Sequence, residues 1–214
     1  MPNGGNCNDF NPCTTGETCQ NGTCTGGSAV TQCQGGDSCC PSGCTVSNDA
    51  DCAIVELDIG THDSVFTNVN SPRGYFFQAP TAMTIYGLRV PTAAGTAVQN
   101  VQVVRFNNGA PANYPTGTTN FVTLAYHNQV PGTGWIPVNI SVQAGQTIGV
   151  IGARGTTTMS NSYGATNTYS SMIFGQSTPL YRLIATNNLS VAQATTLYGH
   201  TVNAYGRIEL QYGP

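Results

Sequence analysis

From Ala53 to the end of the chain, apolar and polar residues alternate with a period of two. Val55, Leu57 and Ile59 fall on one side of AIVELDI, with Glu56 and Asp58 on the other. Ile136, Val138, Ile140 and Val142 alternate with Trp135, Pro137, Asn139 and Ser141. Ile208, Leu210 and Tyr212 oppose Arg207, Glu209 and Gln211. This pattern predicts half-buried strands, because successive strand side chains point to opposite faces. Further strands are expected at 73–79, 82–90, 98–106, 121–127, 146–152 and 179–185. Gly, Pro, Asn and Thr clusters separate them, and no amphipathic helical pattern intervenes. About nine short strands with turn-rich links predict an all-β fold, an antiparallel β-sandwich of jelly-roll-like type. The interval 153–171 reads as a long polar loop, of a length that is commonly functional.

Residues 1–52 carry no such pattern. Phe10, Val30 and Val46 are nearly the only large apolar residues there, and turn-formers dominate. All nine cysteines lie in this stretch: Cys7, Cys13, Cys19, Cys24, Cys33, Cys39, Cys40, Cys44 and Cys52. A segment without a core needs covalent cross-links to hold a shape. The chain therefore divides into a disulfide-rich arm, 1–52, and a sandwich domain, 53–214. Within the arm, two cysteine clusters (7–24 and 33–52) flank a loose connector. Zinc is the weaker reading: Cys19 and Cys24 have no answering pair, and no His precedes residue 53. The disulfide connectivity stays open, since eight paired cysteines allow about 105 arrangements. Vicinal Cys39 and Cys40 are expected to take different partners. The odd cysteine is a candidate for a free thiol or a bridge to another chain.

Charge changes the picture next. The arm has five acidic and no basic residues, whereas the remainder has six Arg, no Lys and four acids, for a net −3 overall. That balance offers no basic stripe for nucleic acid, and no apolar run is long enough to span a membrane. The cysteine usage points to an oxidising compartment and an extracellular or cell-surface location. The start, MPNGGNC, lacks signal-peptide features, so an exported protein trimmed of its leader is expected.

Candidate chemistry is sparse. No catalytic motif occurs, and His62, His127 and His200 are widely separated. Glu56 and Asp58 share a strand face at a spacing of about 6.5 Å, but no aromatic platform accompanies them for a glycosidase. No catalytic residue is assigned, and no cofactor is expected apart from candidate calcium at Asn48, Asp49 and Asp51. Trp135, Arg154, Tyr163 and Tyr169 are candidate ligand or interface residues. Asn21, Asn139 and Asn188 open N-x-S/T sequons.

CNDFNPCTTGETCQNGTC and GDSCCPSGCTVSNDADC together resemble the cysteine-rich repeats of secreted myxobacterial surface proteins. RGYFFQAPTAMTIYGLRVPTAAGTAVQNVQVVRF, VQAGQTIGVIGARGTT and NSYGA resemble an uncharacterised β-sandwich domain of exported bacterial proteins, some of the PEP-CTERM type. The resemblance implies export and is compatible with an extracellular fibre or matrix. The expected function is a non-enzymatic structural subunit that polymerises with copies of itself. The joint would be the arm, its acidic surface on a mildly basic sandwich, or strand donation by 53–59. The alternative is a carbohydrate-binding module of an adhesin, with glycans as partners.

Overall fold

A computed structural model describes residues 3–9, 11, 13–37, 39–41 and 43–214; Phe10 therefore lies outside the described residues. The arm contains four short strands, β1 (Thr14–Thr15), β2 (Thr18–Gln20), β3 (Thr23–Thr25) and β4 (Ser28–Ala29), paired as β1–β4 and β2–β3. Thirteen more follow: β5 (Val55–Glu56), β6 (Ser64–Asn68), β7 (Arg73–Gln78), β8 (Met83–Arg89), β9 (Gln99–Phe106), β10 (Phe121–Val130), β11 (Ile136–Val142), β12 (Thr147–Arg154), β13 (Met159–Tyr163), β14 (Thr168–Ile173), β15 (Gln176–Ile184), β16 (Tyr198–Gly199) and β17 (Glu209–Gly213).

These thirteen strands form an antiparallel sandwich. One sheet has the order β11–β8–β17–β5. The larger runs β10–β9–β12–β7–β15–β14, with β13 and then β6 continuing beside β12, and β16 beside β15. The chain passes from one sheet to the other at β5–β6, β7–β8, β8–β9, β10–β11, β11–β12 and β16–β17, as jelly-roll-like folds do. Alternate residues of both sheets meet between them: Tyr75 and Phe77 from β7, Ile85 and Leu88 from β8, Val101 and Val103 from β9, Ile148 and Val150 from β12, and Leu210 from β17. The period-two pattern is the cause, because burying one face of each sheet requires it.

The larger sheet is also covered on its outer side. Val104, Phe106, Ile151 and Leu183 pack there under Leu189, Ala194 and Leu197 of the segment between β15 and β16. All eight residues of β12 are buried as a result. Gln102, an outward polar residue of β9, is buried without loss of hydrogen bonding. Its Oε1 accepts from Ala194 N at 2.7 Å and its Nε2 donates to Ala194 O at 3.1 Å. Gly74 sits at the centre of this layer, where any Cβ would collide with the Val150 carbonyl. Only glycine lets β7 and β12 approach there.

Three sequence expectations change. The interval 153–171 is not a loop: it holds β13 and the start of β14. Its Thr, Ser and Asn residues suit a strand as readily as a turn, and pairing with β6 and β15 decides the matter. The segment 53–59 is engaged within its own chain, since Gln211 pairs Glu56, Tyr212 pairs Val55 and Leu57 N donates to Leu210 O. It is thus no spare strand for a neighbour. Its expected stripe is also incomplete, because Leu57 and Ile59 are buried but Val55 is 39% exposed.

The arm lies against one end of the sandwich. A groove of about 260 Å³ separates Asn11, Cys13 and Cys40 from the β7–β8 turn, Val142, Phe174 and Pro214. Among the described residues, no helix is long and apolar enough to cross a membrane.

Candidate functional site

Four disulfides staple the arm: Cys7–Cys24, Cys13–Cys39, Cys33–Cys44 and Cys40–Cys52. The vicinal pair takes separate partners, as expected. The Cys13–Cys39 bridge joins the two expected clusters, so the arm is one cross-linked unit. Cys19 stands outside these four bridges and is 3% exposed on β2, in register with Cys24. Its burial withdraws it as the bridging thiol of an inter-chain joint.

The expected calcium trio is engaged as turn caps. Asn48 Oδ1 accepts from Thr45 N at 2.7 Å, Asp49 Oδ1 accepts from Asp51 N at 3.0 Å, and Asp51 Oδ2 accepts from Gly36 N and Asp37 N. Asp49 caps the short 3₁₀ turn Ala50–Cys52 that leads into the sandwich. Asp49 favours this turn because its short oxygen-bearing side chain reaches its own backbone two residues on, whereas Asp51 reaches across to the Gly36–Asp37 turn. Among the described residues, no group of three or more His, Cys, Asp or Glu is arranged to hold a metal.

The four candidate ligand residues do not converge. Trp135 precedes β11 on the outer side of the smaller sheet, where the Arg89 guanidinium lies 4.2 Å over its ring and is ion-paired with Glu209. One ring face is therefore already occupied. Arg154 is 1% exposed and donates to four carbonyls: Val90, Pro91, Ala97 and Gly132. It ties the β8–β9 connection to the turn before Trp135, and burial pushes its pKa down. This corrects its assignment as a ligand residue. Tyr163 stacks on Phe66 at 5.5 Å, beneath Arg182. Tyr169 donates to Asp58 Oδ2 at 2.7 Å, and that bond raises its pKa.

Three more arginines follow Arg154. Arg73 donates to Pro72 O and Ala185 O, Arg182 to Ala204 O, and Arg207 to Ile59 O and Gly60 O. None of the six arginines is exposed. A planar fork of five donors can satisfy carbonyls from several loops, which a lysine ammonium does less well. Four of the six arginines are therefore internal scaffolding, and a fifth, Arg89, is ion-paired with Glu209.

Structure does bring His62 to Ser162, with Nδ1 3.0 Å from Oγ. Ser162 is 1% exposed, and its Oγ also accepts from Arg207 Nη1 at 2.9 Å. A buried hydroxyl held on both sides fastens the Ile59–His62 segment and has no room for an acyl substrate. Asp58 is separated in role from Glu56, because its oxygens accept from Gly60 N and the Tyr169 hydroxyl. Of the sequons, Asn21 and Asn139 are exposed. Asn188 is half-buried, with Nδ2 donating to Thr156 O at 2.6 Å. Its amide is thus unavailable to a glycan in the folded chain.

Two tyrosines anchor this region and give it an alkaline limit. Tyr75 donates to Ile208 O and Tyr205 to Ile59 O. Burial raises both phenols, Tyr205 to about 12. Between pH 10 and 12 the unfolded chain releases these protons while the folded chain keeps them, so stability falls as pH rises. A spectrophotometric titration should show two of the ten tyrosines ionising only as the fold is lost. Early ionisation of all ten with the sandwich intact would contradict this placement. The chain matches no protein-family model and no curated protein.

Proposed function

We propose that the protein is a non-enzymatic extracellular structural subunit that assembles with copies of itself into a fibre or matrix. The observation that carries this reading is the edge of the larger sheet at β6. Ser64, Val65, Thr67 and Asn68 are all exposed, Val65 at 50%, and among the described residues the strand pairs only with β13. It contains no charged residue and no proline, the devices that normally blunt an edge. Exposed Val69, at 56%, extends the apolar margin. Such an edge is suited to pairing with a strand from a neighbouring copy. The stapled arm favours an oxidising exterior, and the engagement of Ser162, His62 and Asp58 in internal bonds favours a non-catalytic role. Donation by 53–59 would first require release from β17, whereas edge pairing at β6 requires no exchange.

Negative-stain electron microscopy of full-length, unreduced protein tests the reading. Regular filaments are expected, and a Thr67→Lys variant with unchanged melting should give dispersed particles. Monodisperse wild-type particles at physiological salt would overturn it.

A further inference from the structure

On the outer face of the larger sheet, four rings from four strands form a ladder. Tyr181 of β15 stacks on Phe76 of β7 at 5.3 Å, Phe76 meets Phe106 of β9 edge-on at 6.4 Å, and Phe106 meets Phe121 of β10 at 6.0 Å. Phe106 is buried, but Tyr181 is 43% exposed. Tyr181 is thus a ring pinned on one face and open to solvent elsewhere. A cavity of about 70 Å³ opens beside it, lined also by Asn113, Thr168, His200 and Thr201.

Most of these neighbours carry unengaged polar side chains, although Asn167, also in the lining, donates to Thr201 O. Among the described residues, the hydroxyls of Tyr181, Thr168 and Thr201 and the amide of Asn113 make no hydrogen bond, whereas His200 uses only Nδ1, with Val202. Tyr114, 54% exposed, packs against His200 and Tyr198 at the far rim and supplies a second accessible ring. Among the described residues, no carboxylate lines the cleft. Arg182 borders it, but strand alternation sends its guanidinium through the sheet, where it bonds to Ala204 O and the Tyr163 hydroxyl.

We propose that this cleft binds a neutral saccharide. A sugar ring presents an apolar C–H face to an aromatic ring and hydroxyls around its rim, and the cleft offers a fixed ring beside uncharged donors and acceptors. An acidic glycan would need a cation that the cleft does not aim at it. The small cavity accommodates one substituent, such as a hydroxymethyl group, while the ring lies over Tyr181. The site is independent of Trp135 and of the β6 edge.

The test is affinity electrophoresis of the full-length protein in native gels containing mannan, xylan, hydroxyethylcellulose or alginate, against a gel without polysaccharide. Retardation is expected in at least one neutral gel. Tyr181→Ala should weaken it at least about tenfold, as loss of a central aromatic contact does, while Tyr181→Phe and Trp135→Ala should retain it. The exposed position of Tyr181 lets melting temperature confirm that the variants fold. No retardation in any neutral gel, retardation by alginate alone, or an unaffected Tyr181→Ala variant would overturn the assignment.

Discussion

Replacing Arg154 with methionine is expected to destabilise the sandwich by about 3–5 kcal/mol, although the residue touches no ligand. The guanidinium donates to Val90 O, Pro91 O, Ala97 O and Gly132 O from a position 1% exposed. Methionine fills much of the volume but donates nothing, so these carbonyls lose their partner, each at a cost of about 1–3 kcal/mol unless water enters. Relaxation at the end of the sandwich recovers part of that sum, hence the intermediate figure. At about 2–4 °C per kcal/mol for a domain of this size, the melting temperature should fall by roughly 10 °C or more. Arg154→Lys should rescue only a minor part, because a single ammonium cannot reach carbonyls on both connections. Calorimetry reads both values. A fall of less than about 3 °C for the methionine variant would show that the clamp is dispensable. Saccharide retardation at low temperature should be unaffected by either substitution, which separates a structural arginine from a binding one.

Reduction is expected to unfold the arm and leave the sandwich standing. The arm's buried described residues are Glu17, Cys19, Cys39, Pro41 and Asp49, none of them a large aliphatic or aromatic side chain. Its shape depends on four bridges closing separations of 11, 12, 17 and 26 residues. Each such closure contributes about 3 kcal/mol by restricting the unfolded chain. Without them, the segment cannot offset the conformational entropy of ordering some fifty residues, about 1–2 kcal/mol each. The sandwich has its own core and contains no cysteine. Trypsin cannot report the change, because the arm has no Lys or Arg. Endoproteinase Asp-N can, at Asp9, Asp37, Asp49 and Asp51. Treatment with dithiothreitol should make these sites cleavable while the far-ultraviolet strand signal and the sandwich melting temperature persist. If the strand signal collapses together with the arm, the two parts form one cooperative unit and the stapled-arm account fails. Filament formation by reduced protein would further locate the joint at the β6 edge, away from the arm.

The aromatic ladder illustrates how far the chain could be read without its fold. The alternation in 179–185 already turns Tyr181 away from Leu180, but nothing local shows that Phe76, Phe106 and Phe121 stand in the same row. Strand register creates that row, and register depends on pairings between residues 15 to 111 positions apart. The 153–171 interval was misread for the same reason: its Ser, Thr and Asn residues lack an apolar stripe, and only pairing with β6 and β15 makes strands of them. Arg154 was misread because an arginine beside a polar stretch looks solvent-facing. Four loop carbonyls converging from elsewhere make it internal.

By itself, the sequence determined the all-β class, most strand positions, the position of the stapled arm and the separate partners of Cys39 and Cys40. These follow from local causes: a period-two pattern, turn residues and cysteines in a segment without a core. Tertiary structure alone decided which cysteines pair, that β12 is covered on both faces, that four of the arginines serve as internal donors, and that unengaged polar groups gather beside Tyr181. Each of these depends on groups far apart in the chain meeting in space. Neither periodicity nor composition encodes which distant carbonyl, ring or thiol will be there.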